Sequence, residues 1–108
     1  MAGKFEIFKD KRGEHRFRLK ASNGEIILAS EGYKSRSGCL NGIGSVKTNA
    51  PDKTRFRVKT SKSKKKFFVL KAGNHKVIGV SELYNSAAAC DGGIKSVMKN
   101  APKAKIEG

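Results

Sequence analysis

An α+β fold built twice is predicted by three features of the sequence: a self-match at a displacement of 51 residues, period-2 apolar alternation early in each unit, and a helical apolar stripe late in each unit. Phe5 recurs as Phe56, Phe17 as Phe68, and Leu19-Lys20-Ala21 as Leu70-Lys71-Ala72. Asn23 and Ile27 return as Asn74 and Ile78, and Ser30-Glu31-x-Tyr33-x-Ser35 returns as Ser81-Glu82-x-Tyr84-x-Ser86. Between residues 5 and 51, 20 of 47 positions match their counterparts without a gap. The chain is therefore read as one domain, 1–108, made of repeat 1 (4–52) and repeat 2 (53–108). A unit of about 50 residues buries too little surface to be stable in isolation. The two halves are expected to share one core as a pseudo-twofold pair inside a monomer.

The elements follow from local pattern. Lys4 to Lys9 sets Phe5 and Ile7 on one side, and His15 to Ala21 sets Phe17, Leu19 and Ala21 on one side with Arg16, Arg18 and Lys20 opposite, the alternation of half-buried strands. Asp10-Lys11-Arg12-Gly13 is the loop between them. Asn23-Gly24 predicts a type I′ turn into a third strand, Glu25 to Ala29. Ser35 suits the N-cap of a helix on which Cys39, Ile43, Val46 and Ala50 recur at spacings of 4, 3 and 4, ending at Asn49 and Pro51. The second unit repeats the order, with strands near Thr54–Thr60, Lys66–Ala72 and Lys76–Val80 and a helix from Ser86 to Asn100. Its Asn74-His75 turn is weaker, because His accepts positive φ less readily than Gly. Lys103 to Ile106 can add a short terminal strand.

Composition sets the class of partner. The 108 residues hold 24 Lys and Arg against 9 Asp and Glu, a formal net charge of +15. With 37% hydrophobic residues and 12 glycines the apolar content is that of a folded chain, which excludes bulk disorder. The charge imbalance points to a polyanion. No apolar run approaches the roughly 18 residues of a membrane span, and Met1-Ala2-Gly3-Lys4-Phe5 lacks the apolar centre of a signal peptide. A cytoplasmic protein with no membrane partner is expected.

The aromatic opening strand, the Leu-Lys-Ala close of the second strand, the Ser-Glu-x-Tyr-x-Ser entry to the helix and the Gly-Ile-x-Ser-Val-x-x-Asn-Ala close, seen at 42–50 and 93–101, resemble the YegP-like family of small bacterial proteins. The resemblance covers residues 4 to 102. It implies two tandem β-β-β-α units, with short C-terminal strands exchanged between them, forming one antiparallel sheet packed against two helices. It implies no activity, cofactor or site residue, the family having no established biochemical function, and such proteins are usually far less basic than this chain.

Positions kept in both halves read mainly as structure. Phe5/Phe56, Phe17/Phe68, Leu19/Leu70, Ile27/Ile78, Ile43/Ile94 and Val46/Val97 fit a core, each burial contributing about 1.5–3 kcal/mol. Tyr33 and Tyr84 are read as wedges under the helix start with bonded hydroxyls, against the alternative of a ligand-binding pair. Glu31 and Glu82 are read as salt-bridge or capping residues rather than an acid and a base. Cys39 and Cys90 lie on the apolar helix stripes and behave as buried thiols. His15 and His75 have no metal-ligand spacing with them, and Gly42, Gly44, Gly92 and Gly93 sit inside helices, where they permit close packing instead of cradling phosphate. No cofactor, metal or catalytic role is expected.

Most of the basic residues are ones that the duplication did not keep. Lys53 to Lys66 carries eight Lys and Arg with no acid, and Lys9 to Lys20 carries six against Asp10 and Glu14. If Phe17, Leu19, Phe56, Val58, Phe68 and Leu70 face the helices, the opposite sheet face presents Glu6, Phe8, Arg16, Arg18, Lys20, Arg57, Lys59, Phe67, Val69 and Lys71. A face with cations around rings matches the chemistry of single-strand binding platforms. The candidate nucleic-acid site is Phe8, Lys11, Arg12, Arg16, Arg18, Arg57, Lys59, Lys62, Lys64, Lys65, Lys66 and Phe67. The alternative is a protein-interaction or self-association surface, with further dimerisation.

Overall fold

The alternating segments form strands and the striped segments form helices in a computed structural model that describes residues 3–108. The first repeat gives β1 (Lys4–Lys9), β2 (His15–Lys20), β3 (Ile26–Ala29) and α1 (Arg36–Asn49). The second gives β4 (Phe56–Thr60), β5 (Lys66–Lys71), β6 (Val77–Val80) and α2 (Ala87–Asn100), followed by β7 (Lys105–Glu107). Ser35 Oγ accepts from Gly38 N–H at 3.0 Å and Ser86 Oγ from Ala89 N–H at 3.1 Å, so both helices start where the sequence caps them.

The strands make one sheet in the order β4-β5-β6-β3-β2-β1-β7. Its centre is the antiparallel pair β3–β6, where Ala29 meets Val80, the same position of the two repeats, so the pseudo-twofold axis passes between them. The sheet is α+β and two-fold repetitive as expected, but it is mixed, since β7 runs parallel to β1. Strand exchange is also one-sided. After α2 a 3-10 turn at Ala101–Lys103 carries β7 to the first repeat's edge, whereas after α1 the turn at Lys53–Arg55 leads straight into β4. The chain cannot both continue into β4 and add a separate strand beside it.

All four hairpin turns within the repeats have one geometry, and it is not type I′. Gly13 N–H donates to Asp10 O while Asp10 N–H donates to Glu14 O, and the same pair of bonds recurs at Ala21–Glu25, Ser61–Lys65 and Ala72–Lys76. Each is a three-residue loop whose last residue has positive φ: Gly13 (80°), Gly24 (85°), Lys64 (66°) and His75 (68°). Asn23 is not left-handed; its Oδ1 accepts from Glu25 N–H at 3.0 Å, bracing a type I turn with a glycine bulge. The same acceptor role falls to Asp10, Ser61 and Asn74 in the other three loops.

Both helices cover one face of the sheet, each lying over strands of both repeats: α1 reaches β2, β5 and β6, and α2 reaches β3 and β5. Phe5, Phe17, Leu19, Phe68 and Leu70 are fully buried beneath Cys39, Ile43, Val46, Cys90, Ile94 and Val97, making one core. Bulges after Leu19 and Leu70 turn Leu28 and Gly79 to the helix side as well. Tyr33 stacks on Phe17 with centroids 6.3 Å apart, and Tyr84 on Phe68 at 6.2 Å. Their hydroxyls press against Gly42 and Gly93, where an added Cβ would overlap the tyrosine oxygen. These two glycines are the close-packing ones, while Gly44 and Gly92 face open space. Neither tyrosine hydroxyl has a hydrogen-bond partner among the described residues, so the wedge is held by ring packing.

Candidate nucleic-acid interface

The sheet face away from the helices carries the residues that alternation assigns to it. From register, Glu6, Arg18, Ala29, Val80, Val69 and Arg57 form one row across the six antiparallel strands, and Phe8–Arg16 and Lys59–Phe67 lie in the flanking rows at its two sides. Phe8 and Phe67 are both half-buried there, while Val69 is buried outside the helix-side core.

In the first repeat this face is electrostatically compensated. Glu6 accepts from Arg18 at 2.6 Å and lies 3.2 Å from Lys20 Nζ, and Asp10 accepts from Arg16 Nε at 2.7 Å. Hydrogen bonds from Arg18 and then Lys20 hold the Glu6 carboxyl below the usual range, and the Arg16 bond does the same for Asp10. The Arg18 guanidinium also sits 4.7 Å from the Phe8 ring centroid, covering that ring with a cation–π contact. Arg16, Arg18 and Phe8 thus already have partners, whereas Lys11 and Arg12 are exposed at the loop tip.

The second repeat has the same backbone and the opposite charge logic. At the counterparts of Glu6, Asp10 and Glu14 stand Arg57, Ser61 and Lys65, and no Asp or Glu occurs from Arg55 to Ser81. Arg57 turns its guanidinium onto the Thr54 and Phe56 carbonyl oxygens, and Lys66 Nζ donates to Thr60 Oγ1 at 2.8 Å. Among the described residues no carboxylate pairs with Arg57, Lys59, Lys62, Lys64, Lys65, Lys66 or Lys71. Lys64, the counterpart of Gly13, holds its charge at the loop tip on a left-handed backbone. No cation covers Phe67 among the described residues.

The two basic hairpins do not adjoin. Because β3 and β6 are antiparallel at the axis, the β1–β2 loop and the β4–β5 loop point to opposite ends of the sheet, on opposite sides of its centre. Lys11 and Arg12 mark one corner and Lys62, Lys64 and Lys65 the diagonal one, on a molecule with extents of 35 × 31 × 28 Å.

The repeated polar residues settle differently. Glu31 and Glu82 are exposed and make neither the ion pair nor the cap expected of them, because the first helical turns are capped by Ser35 and Ser86. The serines before them have the structural role that sequence reading missed. Ser30 Oγ accepts from Phe17 N–H at 2.9 Å and donates to Glu31 O at 2.8 Å, and Ser81 Oγ does the same with Phe68 and Glu82. Their retention in both halves was the available signal. Cys39 and Cys90 are buried free thiols, with desolvation pushing both pKa values up. Among the described residues no three His, Cys, Asp or Glu side chains gather as metal ligands, and no helix is long and apolar enough to cross a membrane.

Comparison with known proteins agrees with this architecture. The family model for a domain of unknown function, DUF1508, matches twice, at residues 10–56 and 61–107, displaced by the same 51 residues as the self-match. A UPF0339 protein from the ptx operon 5′ region of Stutzerimonas stutzeri is 60% identical over 106 residues, covering 98% of this chain and 96% of its own. YegP of Escherichia coli K12, also a UPF0339 protein, is 46% identical over 93% of this chain and 91% of its own. The solution structure of E. coli YegP, described as of unknown function, superposes with a TM-score of 0.93 at 43% identity, over 99% of this chain and 92% of that one. A UPF0339 protein from Shewanella oneidensis gives 0.92 at 48%, over 99% and 91%. With its twofold sheet, its two matched segments and relatives of this identity along nearly its whole length, the chain belongs to the DUF1508 family, the UPF0339 or YegP-like proteins.

Proposed function

We propose that the protein acts by binding rather than catalysis, and that it holds single-stranded nucleic acid or a comparable polyanion weakly, without sequence preference, on the open face and loop of the second repeat. The observation that carries this reading is the run of cations from Arg57 to Lys71 with no carboxylate against it, beside a first repeat in which Glu6 and Asp10 neutralise the equivalent surface. An ion-paired arginine must give up its carboxylate before it can neutralise phosphate. An unpaired lysine releases condensed counterions from the strand at no such cost. Arg57, Lys59, Lys62, Lys64 and Lys65 contact phosphates in this reading, Lys66 being on the Phe68 side of β5 opposite Thr60, and Phe67 offers a ring on which one base stacks, worth about 1–3 kcal/mol. Lys11 and Arg12 engage only a strand long enough to cross the face diagonally.

Titration of labelled single-stranded and duplex oligonucleotides between about 50 and 200 mM salt tests the proposal. Engagement of about five phosphates predicts a log–log slope of about −3.5 for a single strand. Replacing Lys62, Lys64 and Lys65 by Gln lowers the slope by about 2, whereas Lys11→Gln with Arg12→Gln leaves short oligonucleotides almost unaffected. Absence of binding at the lowest salt overturns the reading.

A further inference from the structure

β1 and β4 are the same strand of the two repeats, yet only one of them has its outer edge covered. Along β1, β7 runs in parallel with Lys4 opposite Lys105, Phe5 opposite Ile106 and Glu6 opposite Glu107, and Lys4 Nζ lies 3.3 Å from Glu107. β4 ends the sheet on the other side. Its backbone can be accounted for group by group. Ser61 N–H donates to Lys65 O at 2.8 Å, so by antiparallel alternation Lys59 and Arg57 bond to β5, while Phe56, Val58 and Thr60 turn outward. Phe56 is already satisfied, its N–H on Lys53 O and its carbonyl on Arg57 Nη1 at 2.9 Å. The main-chain N–H and C=O groups of Val58 and Thr60 have no partner among the described residues.

The side chains tell the same story. Ile7 of β1 is 8% exposed, and its counterpart Val58 is 53% exposed. On the other face of the same edge stand Arg57 and Lys59, with no acid in the surrounding stretch of chain. β7 shows that such an edge takes an added strand, its Ile106 opposite Phe5 and its Glu107 within 3.3 Å of Lys4.

We propose that the outer edge of β4 is a docking site for an extended acidic segment of a partner protein, which adds as a strand through the main-chain groups of Val58 and Thr60. The segment carries carboxylates two residues apart, facing Arg57 and Lys59, around one apolar residue that covers Val58. A second copy of this chain does not meet the requirement. Its β4 would set Arg57 and Lys59 against themselves, and its β7 would bring Lys105 to a basic edge.

The probe is a nine-residue peptide with Glu-Ile-Glu-Val-Glu at its centre, and the readout is amide hydrogen exchange of the intact protein followed residue by residue by NMR. Binding is expected to protect the Val58 and Thr60 amides at least tenfold while leaving Lys59, already bonded to β5, unchanged. A peptide with Lys in place of Glu gives no protection. Val58→Pro removes an outward-facing N–H that β5 does not use, so the fold is kept, and affinity falls by about tenfold. A peptide N-methylated at the amides that face β4 loses binding to the unaltered protein, which covers failure of the Pro variant to fold. The proposal is overturned if the acidic peptide does not bind, if it binds without protecting these amides, or if the Lys peptide binds as well. Val58→Pro leaves the salt slope for oligonucleotides unchanged, so this edge and the phosphate-binding face succeed or fail separately.

Discussion

Leu28 lies over Gly79, and the two occupy the same position of the two repeats: a Cβ built on Gly79 would fall 2.6 Å from Leu28 Cδ2. The contact is close to the pseudo-twofold axis, one residue from the Ala29–Val80 pair. Two leucines there would overlap, and two glycines would leave a void. Fusion of the repeats in one chain permits a large residue to face a small one. Gly79→Ala is expected to destabilise by about 1–3 kcal/mol through overpacking, and Leu28→Ala by about 2–5 kcal/mol through the cavity it leaves. The double variant should be less destabilised than the sum of the two, as measured by urea denaturation in a double-mutant cycle.

Lys64 and His75 hold the left-handed position that Gly13 and Gly24 occupy in the first repeat. A side chain at positive φ costs about 1–2 kcal/mol, partly offset by the lower entropy of the unfolded non-glycine chain. Lys64→Gly and His75→Gly are therefore expected to raise stability by up to about 1 kcal/mol each, and Gly13→Ala or Gly24→Ala to lower it by about 1–2 kcal/mol. Thermal unfolding of the four variants orders them.

Arg18 and Lys20 depress the Glu6 carboxyl, and Arg16 depresses that of Asp10. A carboxylate whose folded pKa lies below its unfolded one stabilises the fold above the unfolded value, and that contribution disappears as pH falls through the folded value. Stability should decline below about pH 4, and Glu6→Gln together with Asp10→Asn should flatten that acid limb by lowering stability above about pH 5 while changing little at its acid end. The melting temperature followed against pH reads this, and an unchanged acid limb would show that neither pair matters.

Cys39 and Cys90 are buried on the core side of their helices with raised pKa values. Both thiols should resist alkylation in the folded protein at neutral pH and react together on unfolding, because the nucleophilic thiolate is scarce and inaccessible. Mass spectrometry after iodoacetamide treatment, with and without denaturant, shows whether either one is reactive in the native state.

Repeat structure, strand and helix order, helix caps, the core aromatics and the location of the charge surplus were all legible in the amino-acid sequence alone. They depend on local periodicity, on Ser35 and Ser86 placed ahead of apolar stripes, and on a self-match that separates retained residues from added ones. Tertiary structure decided the rest. The type I turns with a left-handed third residue were hidden because Asn-Gly suits two turn geometries and strand register chooses between them. Only antiparallel pairing at the β3–β6 axis sends the two basic loops to opposite corners. Likewise, only cross-strand register sets Glu6 beside Arg18 and Lys20 while leaving Arg57 and Lys59 without an acid. The net charge of +15 is a sum over residues, but which cations are free depends on strands distant in sequence lying about 5 Å apart, and no local pattern encodes that distance.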